Sequence, residues 1–372
     1  MGKENRHYNL SVKIFIGAEN IVSPIGNNID DNFAALQQNI SGIKLYKNAG
    51  FKKEDLYLSK IELLNAKNKF NLLIENCLDN LLSEVPASIF ESEKTILILS
   101  TTKGDMELGL TETIEEPIQK IKQKYALKHL PIVISNACTS GVLSIITAAN
   151  LIRSQIYDHA IVIGCDTISE FVIYGFQSLY AISDEPCKPF DRDRKGITLG
   201  EGCAGVVLSK DNNLFKQQPL LFIEGSSSND ANHISGPSRT GEGLYRSIKN
   251  TLEYAKMNTE DIDFISAHGT ATLFNDDMES IAFHRLGMNH IPLNSLKGYY
   301  GHTLGAAGVI ETAICMQSLR NNLLVKSLGF ENSGTPEPLN IITKNKVKEL
   351  KTVLKTASGF GGCNASLILQ KI

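Results

Sequence analysis

The sequence predicts an α/β protein. Short apolar, β-branched runs alternate along its 372 residues with longer segments of helical periodicity. A faint internal echo adds a second observation. EGCAGVVLSK (201–210) and GGCNASLILQK (361–371) each run glycine–cysteine, small residues, an apolar strand and a lysine. The polar stretch DNNLFKQQ (211–218) lies between them, so two related halves are expected. We place the amino-terminal half at 1–213 and the carboxy-terminal half at 214–372, a length suited to one large or two medium domains.

Along the first half, the expected strands are Val12–Ile16, Thr95–Leu99, Ile132–Ser135, Ala160–Gly164 and Ala204–Leu208. The second half offers Leu220–Glu224, Phe264–Ala267, Thr352–Thr356 and Ser366–Leu369. All are short apolar runs bounded by polar or glycine-containing segments. Between them, Phe70, Leu73, Ile74, Cys77, Leu78 and Leu81 recur at i, i+3, i+4 and i+7, which predicts an amphipathic helix over 67–83. Leu244, Ile248, Leu252 and Ala255 form a similar stripe.

Composition narrows the classes of function. The chain is 42% hydrophobic and 21% charged, with a formal net charge of −3, so no global charge draws it to nucleic acid or to an anionic membrane. Its seven cysteines form no C-x-x-C pair, which points to free thiols in a reducing compartment rather than a disulfide framework or a zinc site. The start, MGKENRHYNLSVK, lacks the apolar core of about 7–15 residues that marks a secretory leader. No apolar run reaches the ~18–20 residues of a membrane span. A cytoplasmic, soluble protein is expected.

The stretch PIVISNACTSGVLSIITAANL (131–151) places one thiol, Cys138, between a strand and a helix, among the smallest residues available. If the helix begins just after Ala137, Cys138 lies in its first turn, where unpaired N–H groups favour a thiolate. The small neighbours suit a nucleophile elbow. A buried structural cysteine is the competing reading. Three further loops set functional groups beside glycines. ISAHGTATLFNDDMES (265–280) carries His268, NSLKGYYGHTLGAAGVIE (294–311) carries Lys297 and His302, and TASGFGGCNAS (356–366) is a glycine loop.

Taken together, these motifs resemble the β-ketoacyl-[acyl-carrier-protein] synthases, ketosynthases of the thiolase-like condensing enzymes. The likeness runs from VSPIGNNIDDNFAAL (22–36) to the carboxy terminus and includes CKPFDRDRKGITLGEGCAGVVLSK (187–210). It implies a thiolase-like five-layered α-β-α-β-α sandwich built from two similar halves. The first would carry the nucleophilic cysteine, the second the two histidines and the lysine. It also implies a decarboxylative Claisen condensation in fatty-acid or polyene/polyketide-type chain elongation, with acyl carrier protein as partner. The acyl group would be a thioester on Cys138, and malonyl-carrier protein would lose CO₂ and attack it.

The resemblance assigns roles residue by residue. The backbone amides of Cys138 and Phe360 form an oxyanion hole, while His268 and His302 donate hydrogen bonds to the enolate oxygen. Lys297 pairs with Glu279 and keeps the histidine region ordered. Thr270 and Thr272 hold the phosphopantetheine arm, and Phe360 gates the acyl pocket. No cofactor is implied beyond that arm on the carrier protein. A homodimer is expected, with a heterodimer of ketosynthase and homologous partner as the alternative. A thiolase and a chain-length-factor partner are the rival readings. A metal site of His268, His302 and Asp276 fits no standard spacing, and the run Lys188–Lys195 is either a solvated loop or an active-site wall.

The sequence also departs from the family pattern. Leu273 and Asn275 replace a usual Pro and Gly, Lys195-Gly196-Ile197 stands for Asp-Gly-Phe, and Cys363 stands for Thr. The segment between Ser100 and Cys138 is short. These departures bear on chain length and partner choice.

Overall fold

The computed structural model describes residues 12–62, 68–109, 111–230 and 236–372. The leader reading falls, up to residue 11, outside the described residues, as does residue 67 of the expected first helix.

Ten strands hydrogen-bond as one sheet. The first half contributes, in chain order, Ile14–Val22, Thr95–Ser100, Ile132–Ile134, His159–Asp166 and Gly202–Ser209. The second contributes Leu220–Asn229, Phe264–Ser266, Leu293–Asn294, Thr352–Gly359 and Cys363–Gln370. From the centre of the sheet outward, each half runs first, fifth, fourth, second, third. In both, the fifth strand is antiparallel to its neighbours, and the second, third and fourth are parallel. The echo in the sequence thus corresponds to the fifth strand of each half.

Every expected strand is present, with shifted ends. The first starts at Ile14 rather than Val12 and continues to Val22 through an irregularity between Gly17 and Asn20. The strand Leu293–Asn294 was not expected; two residues carry too little pattern to be read. The two striped helices form as Lys69–Glu84 and Glu242–Ala255, burying the anticipated residues from Phe70 to Leu81 and from Leu244 to Leu252.

The halves meet through a three-residue pairing, Ile14–Ile16 against Leu220–Phe222. The sheet also encloses two helices, Ser140–Arg153 and Ala307–Asn321, each touching strands of both halves. Lys69–Glu84 covers the outer face of the first half and Glu242–Ala255 that of the second. Helix, sheet, helix pair, sheet and helix make the five layers. Because both faces of each half-sheet are covered, central strands are apolar throughout: Gly202–Ser209 is buried at every position. Three large apolar clusters fill the spaces between layers, and each fully buried aliphatic side chain in them contributes about 1.5–3 kcal/mol.

The central helices touch backbone to backbone. A Cβ on Gly141 would lie 2.7 Å from the Val309 nitrogen, and one on Gly308 would lie 2.5 Å from the Val142 nitrogen. A buried ion pair adds a second tie between the halves. Arg153 Nη1 donates to both Glu224 carboxylate oxygens at 2.9 Å.

Candidate active site

Cys138 sits on a tight turn rather than inside the helix. The helix begins at Ser140, so Cys138 precedes it by two residues, and the expectation of a first-turn cysteine is corrected. Ala137 takes a left-handed φ of 46°, a strained choice for a residue with a Cβ. The Ser140 hydroxyl fastens the turn, donating to Ala137 O at 2.6 Å and accepting from Asn136 N at 2.7 Å.

His302 Nε2 lies 2.9 Å from Cys138 Sγ. The His268 ring stands edge-on to the His302 ring, with centroids 5.2 Å apart. All three side chains are buried and line one cavity of about 380 Å³. The two histidines reach it from opposite supports. His268 follows the strand Phe264–Ser266, and its N–H and that of Gly269 donate to Glu279 at 3.0 and 2.9 Å. His302 is stitched to the first half instead: its N–H donates to Thr198 O at 2.7 Å, and its carbonyl accepts from Gly200 N at 3.0 Å.

Charge at the site departs from the sequence expectation. Burial pushes the Cys138 thiol up to about 12, against a smaller opposing pull from Lys297. The site therefore holds a thiol that needs a proton acceptor, not a standing thiolate. Burial also holds His268 and His302 well below the usual imidazole range, reinforced by Lys297 and Lys355. Both rings are neutral at pH 7, and each presents a single N–H.

Lys297 does not pair with Glu279. Its ammonium group bonds Glu311 and donates to His268 O at 2.9 Å. Glu279 is occupied by the two backbone amides, and burial together with Asp276 pushes it up to about 8. A largely protonated carboxyl is a poor counter-ion, whereas Glu311 faces Lys297 directly. Each of the two acids still supports the loop that carries His268.

The hairpin joining Thr352–Gly359 to Cys363–Gln370 has the three-residue loop Phe360-Gly361-Gly362, and both glycines have positive φ, 83° and 74°. A Cβ on Gly359 would lie 3.1 Å from the Cys138 nitrogen, so this loop runs directly beside the Cys138 amide. The Phe360 ring is 38% exposed at the cavity wall and stacks on Phe176 at 5.7 Å. Thr270 and Thr272 also line the cavity, with hydroxyls 2.9 Å apart. The Cys363 thiol is absent from the cavity wall; it turns into the hairpin and donates to Phe360 O at 3.2 Å.

Asp276 accepts from Phe190 N at 2.7 Å and from Thr270 N at 2.9 Å, so it forms no metal set with the histidines. Among the described residues, Cys138, His268 and His302 are the His/Cys/Asp/Glu group whose donor atoms all lie within 4.8 Å of one another. The buried lysines behind them oppose a cation there. The run Lys188–Lys195 proves to be mixed. Arg192 and Asp193 face solvent, while Phe190, Asp191 and Arg194 are buried, and the Phe190 ring packs against Gly269.

Sequence reasoning missed Glu311, Lys355 and Asp166. Asp166 accepts from Gly305 N at 2.7 Å, from Thr101 and Thr102 hydroxyls at 2.9 Å and from Lys103 at 2.8 Å. It thereby fixes the segment that follows His302. A signal was available for Glu311: it is the one acid in the otherwise uncharged run GAAGVIETAICMQSL (305–319), and a buried charge needs a partner.

Two family descriptions match the chain: the β-ketoacyl synthase N-terminal domain over residues 120–213 and the C-terminal domain over 221–331. A 3-oxoacyl-[acyl-carrier-protein] synthase 2 of Coxiella burnetii is 35% identical over 264 residues, covering 67% of this chain and 64% of that protein. The chain thus spans just under two thirds of that relative's length. A putative mitochondrial 3-oxoacyl-[acyl-carrier-protein] synthase of Schizosaccharomyces pombe is 28% identical and is covered over 99% of its length, with 96% of this chain. Among solved structures, a chain of the ketosynthase–chain length factor complex ApeO–ApeC from Xenorhabdus doucetiae superposes with a TM-score of 0.84. Its identity is 27%, and each chain is covered completely. No helix among the described residues is long and apolar enough to cross a membrane. With the thiol, the imidazole pair and the duplicated strand order in place, these matches show that the chain belongs to the β-ketoacyl synthase family, with the thiolase-like fold.

Proposed function

We propose that the protein is a β-ketoacyl-[acyl-carrier-protein] synthase, joining malonyl-carrier protein to an acyl group held on Cys138. The observation that carries this reading is the 2.9 Å contact between Cys138 Sγ and His302 Nε2, beside His268 in one buried cavity.

The thiol first loses its proton to His302 as sulfur attacks the acyl-carrier thioester. The oxyanion develops beside the amides of Cys138 and Phe360. Collapse releases the carrier thiol, which takes the proton back through His302. In the second stage, malonyl-carrier protein enters with its arm along Thr270 and Thr272. It loses CO₂, and the enolate oxygen accepts hydrogen bonds from His268 and from His302, which for this stage exchanges into the tautomer carrying its proton on Nε2. The enolate carbon attacks the Cys138 thioester; the carbon–sulfur bond breaks as the new carbon–carbon bond is completed, and the departing thiolate takes a proton from solvent to restore the thiol. Lys297, Glu311 and Glu279 hold the His268 loop while charge moves. Nucleophile, proton acceptor and donors all come from the chain, and the substrates ride on the carrier's phosphopantetheine arm.

The chain fits fatty-acyl or polyene/polyketide-type elongation in the cytoplasm, with the halves divided at 213/214. Complete coverage of a chain from a ketosynthase–chain length factor complex favours pairing with a homologous subunit over a lone chain. Cys138 makes this the active member of such a pair rather than the partner lacking a nucleophile. A thiolase would place its second cysteine at the reacting centre, whereas Cys363 turns away from the cavity.

Incubation with acyl-carrier protein should add the acyl mass to the peptide containing Cys138. Labelling elsewhere, or none across a panel of acyl chains, would overturn the assignment.

A further inference from the structure

Lys355 lies in the strand Thr352–Gly359, in the middle of the second half-sheet, and is fully buried. A buried ammonium group is costly unless paired and hydrogen-bonded. Its Nζ lies 2.7 Å from Glu311 Oε2, in ion-pair contact rather than hydrogen-bond alignment. It also donates to the carbonyls of Ser266 at 3.2 Å, Ala267 at 3.4 Å and Thr356.

Lys297 takes the other Glu311 oxygen and the next carbonyl in the chain, His268 O. Three successive carbonyls, 266 to 268, are therefore held by two ammonium groups, while carboxylates hold the amides of 268 to 271. We propose that Lys355 is a positioning residue for the histidine pair, sharing Glu311 with Lys297 and leaving one uncompensated positive charge behind His268.

This rests on the condensing-enzyme reading of the cavity. The ionisable groups around Lys355 are Glu311 and Cys315 on the helix Ala307–Asn321, Lys297 and His302 on the segment before it, and His268 and Glu279. Lys297 and Lys355 share one acidic side chain, Glu311, and Glu279 is pushed up to about 8. A net positive charge disfavours a second cation nearby. It therefore keeps both imidazoles neutral, in the state that accepts the thiol proton and donates to an enolate. Lys355 acts in that direction on His268 and on His302.

Activity that needs neutral imidazoles is lost as pH falls through their titration, so removing Lys355 moves that loss to higher pH. Lys355→Met should shift the acid limb of malonyl decarboxylation upward by about one pH unit. The NMR titrations of His268 and His302 should move with it. Lys355→Gln keeps donors for the carbonyls but not the charge, so it should show the same shift and also serves if the Met variant does not fold. The double variant Lys355→Met/Glu311→Gln, left with Lys297 alone, regains one positive charge and should return the limb toward wild type. Unchanged imidazole titrations in the single variants, or a wild-type profile in Lys355→Gln, would overturn the proposal. The titrations need no turnover. Shifted titrations in a protein that never condenses would leave Lys355 in its role and remove the ketosynthase reading instead.

Discussion

In the first half, the third strand, Ile132–Ile134, turns sharply through Cys138 into the helix Ser140–Arg153. In the second half, the equivalent strand, Leu293–Asn294, leads through Lys297 and His302 into the helix Ala307–Asn321. The two loops share one topological position and carry complementary groups, a thiol on one and an imidazole nitrogen 2.9 Å from it on the other. Their helices cross at Gly141 and Gly308, which draws the two loop ends together. Equivalence of position explains why Cys138 and His302 meet, while the difference in loop length sets what each can do. The short loop strains Ala137 and fixes sulfur; the long one leaves room for a lysine, a histidine and their supports.

The largest expected effect concerns the resting state of the first loop. A thiol pushed up to about 12 stays protonated well above the range of an exposed cysteine. Its alkylation by iodoacetamide should therefore climb about tenfold per pH unit from pH 7 to 10, roughly a thousandfold overall. A plateau below pH 8 would reveal a standing thiolate, and the two loops would then not be acid and base. Next in size are the histidine replacements. His302→Ala removes the group 2.9 Å from sulfur, so acylation and decarboxylation should both fall, the latter about 10²–10³-fold. His268→Ala should lower decarboxylation similarly while leaving Cys138 acylation near wild type. Equal effects of both variants on acylation would erase the distinction drawn between the rings.

The helix crossing offers a test of structure rather than chemistry. Gly308→Ala would place a Cβ 2.5 Å from backbone nitrogen, which no side-chain movement relieves. A loss of about 1–3 kcal/mol in urea unfolding is expected. A stabilised variant, following the helix preference for alanine, would show that the central layer is looser than its geometry indicates.

Much of this was legible in the sequence, for physical reasons that also mark where legibility stopped. Sheet strands buried on both faces read as apolar runs, so strands such as Ala160–Gly164 and Ala204–Leu208 were found from composition alone. The two-residue strand Leu293–Asn294 was not, because its place is set by pairing with Phe264–Ser266 and by Asn340 and Ile342 backbone groups. Cys138, His268 and His302 stood out beside glycines at the ends of runs. The partner of Lys297 did not: choosing Glu311 over Glu279 depends on which acid faces the ammonium group across distant elements. The thiol's raised pKa was equally hidden, since desolvation is a property of the closed cavity and not of the elbow.

The smallest expected effect tests how firmly the first loop is tied to the second half. The Cys363 thiol donates to Phe360 O at 3.2 Å and lies 3.8 Å from Asn136 O, bridging the hairpin loop and the turn that precedes Cys138. Hydrogen bonds of this size contribute about 1 kcal/mol, so Cys363→Ala should lower the rate of Cys138 acylation about fivefold with little change in unfolding midpoint. Cys363→Thr supplies a hydroxyl donor at the same Cβ and should keep most of the rate. If Ala and Thr behave alike at the wild-type rate, the Phe360 amide is held by the strand pairing of Gly359 with Cys363, and the thiol is only packing. If Thr alone restores the rate, the side-chain donor is what sets the distance between the Phe360 and Cys138 amides.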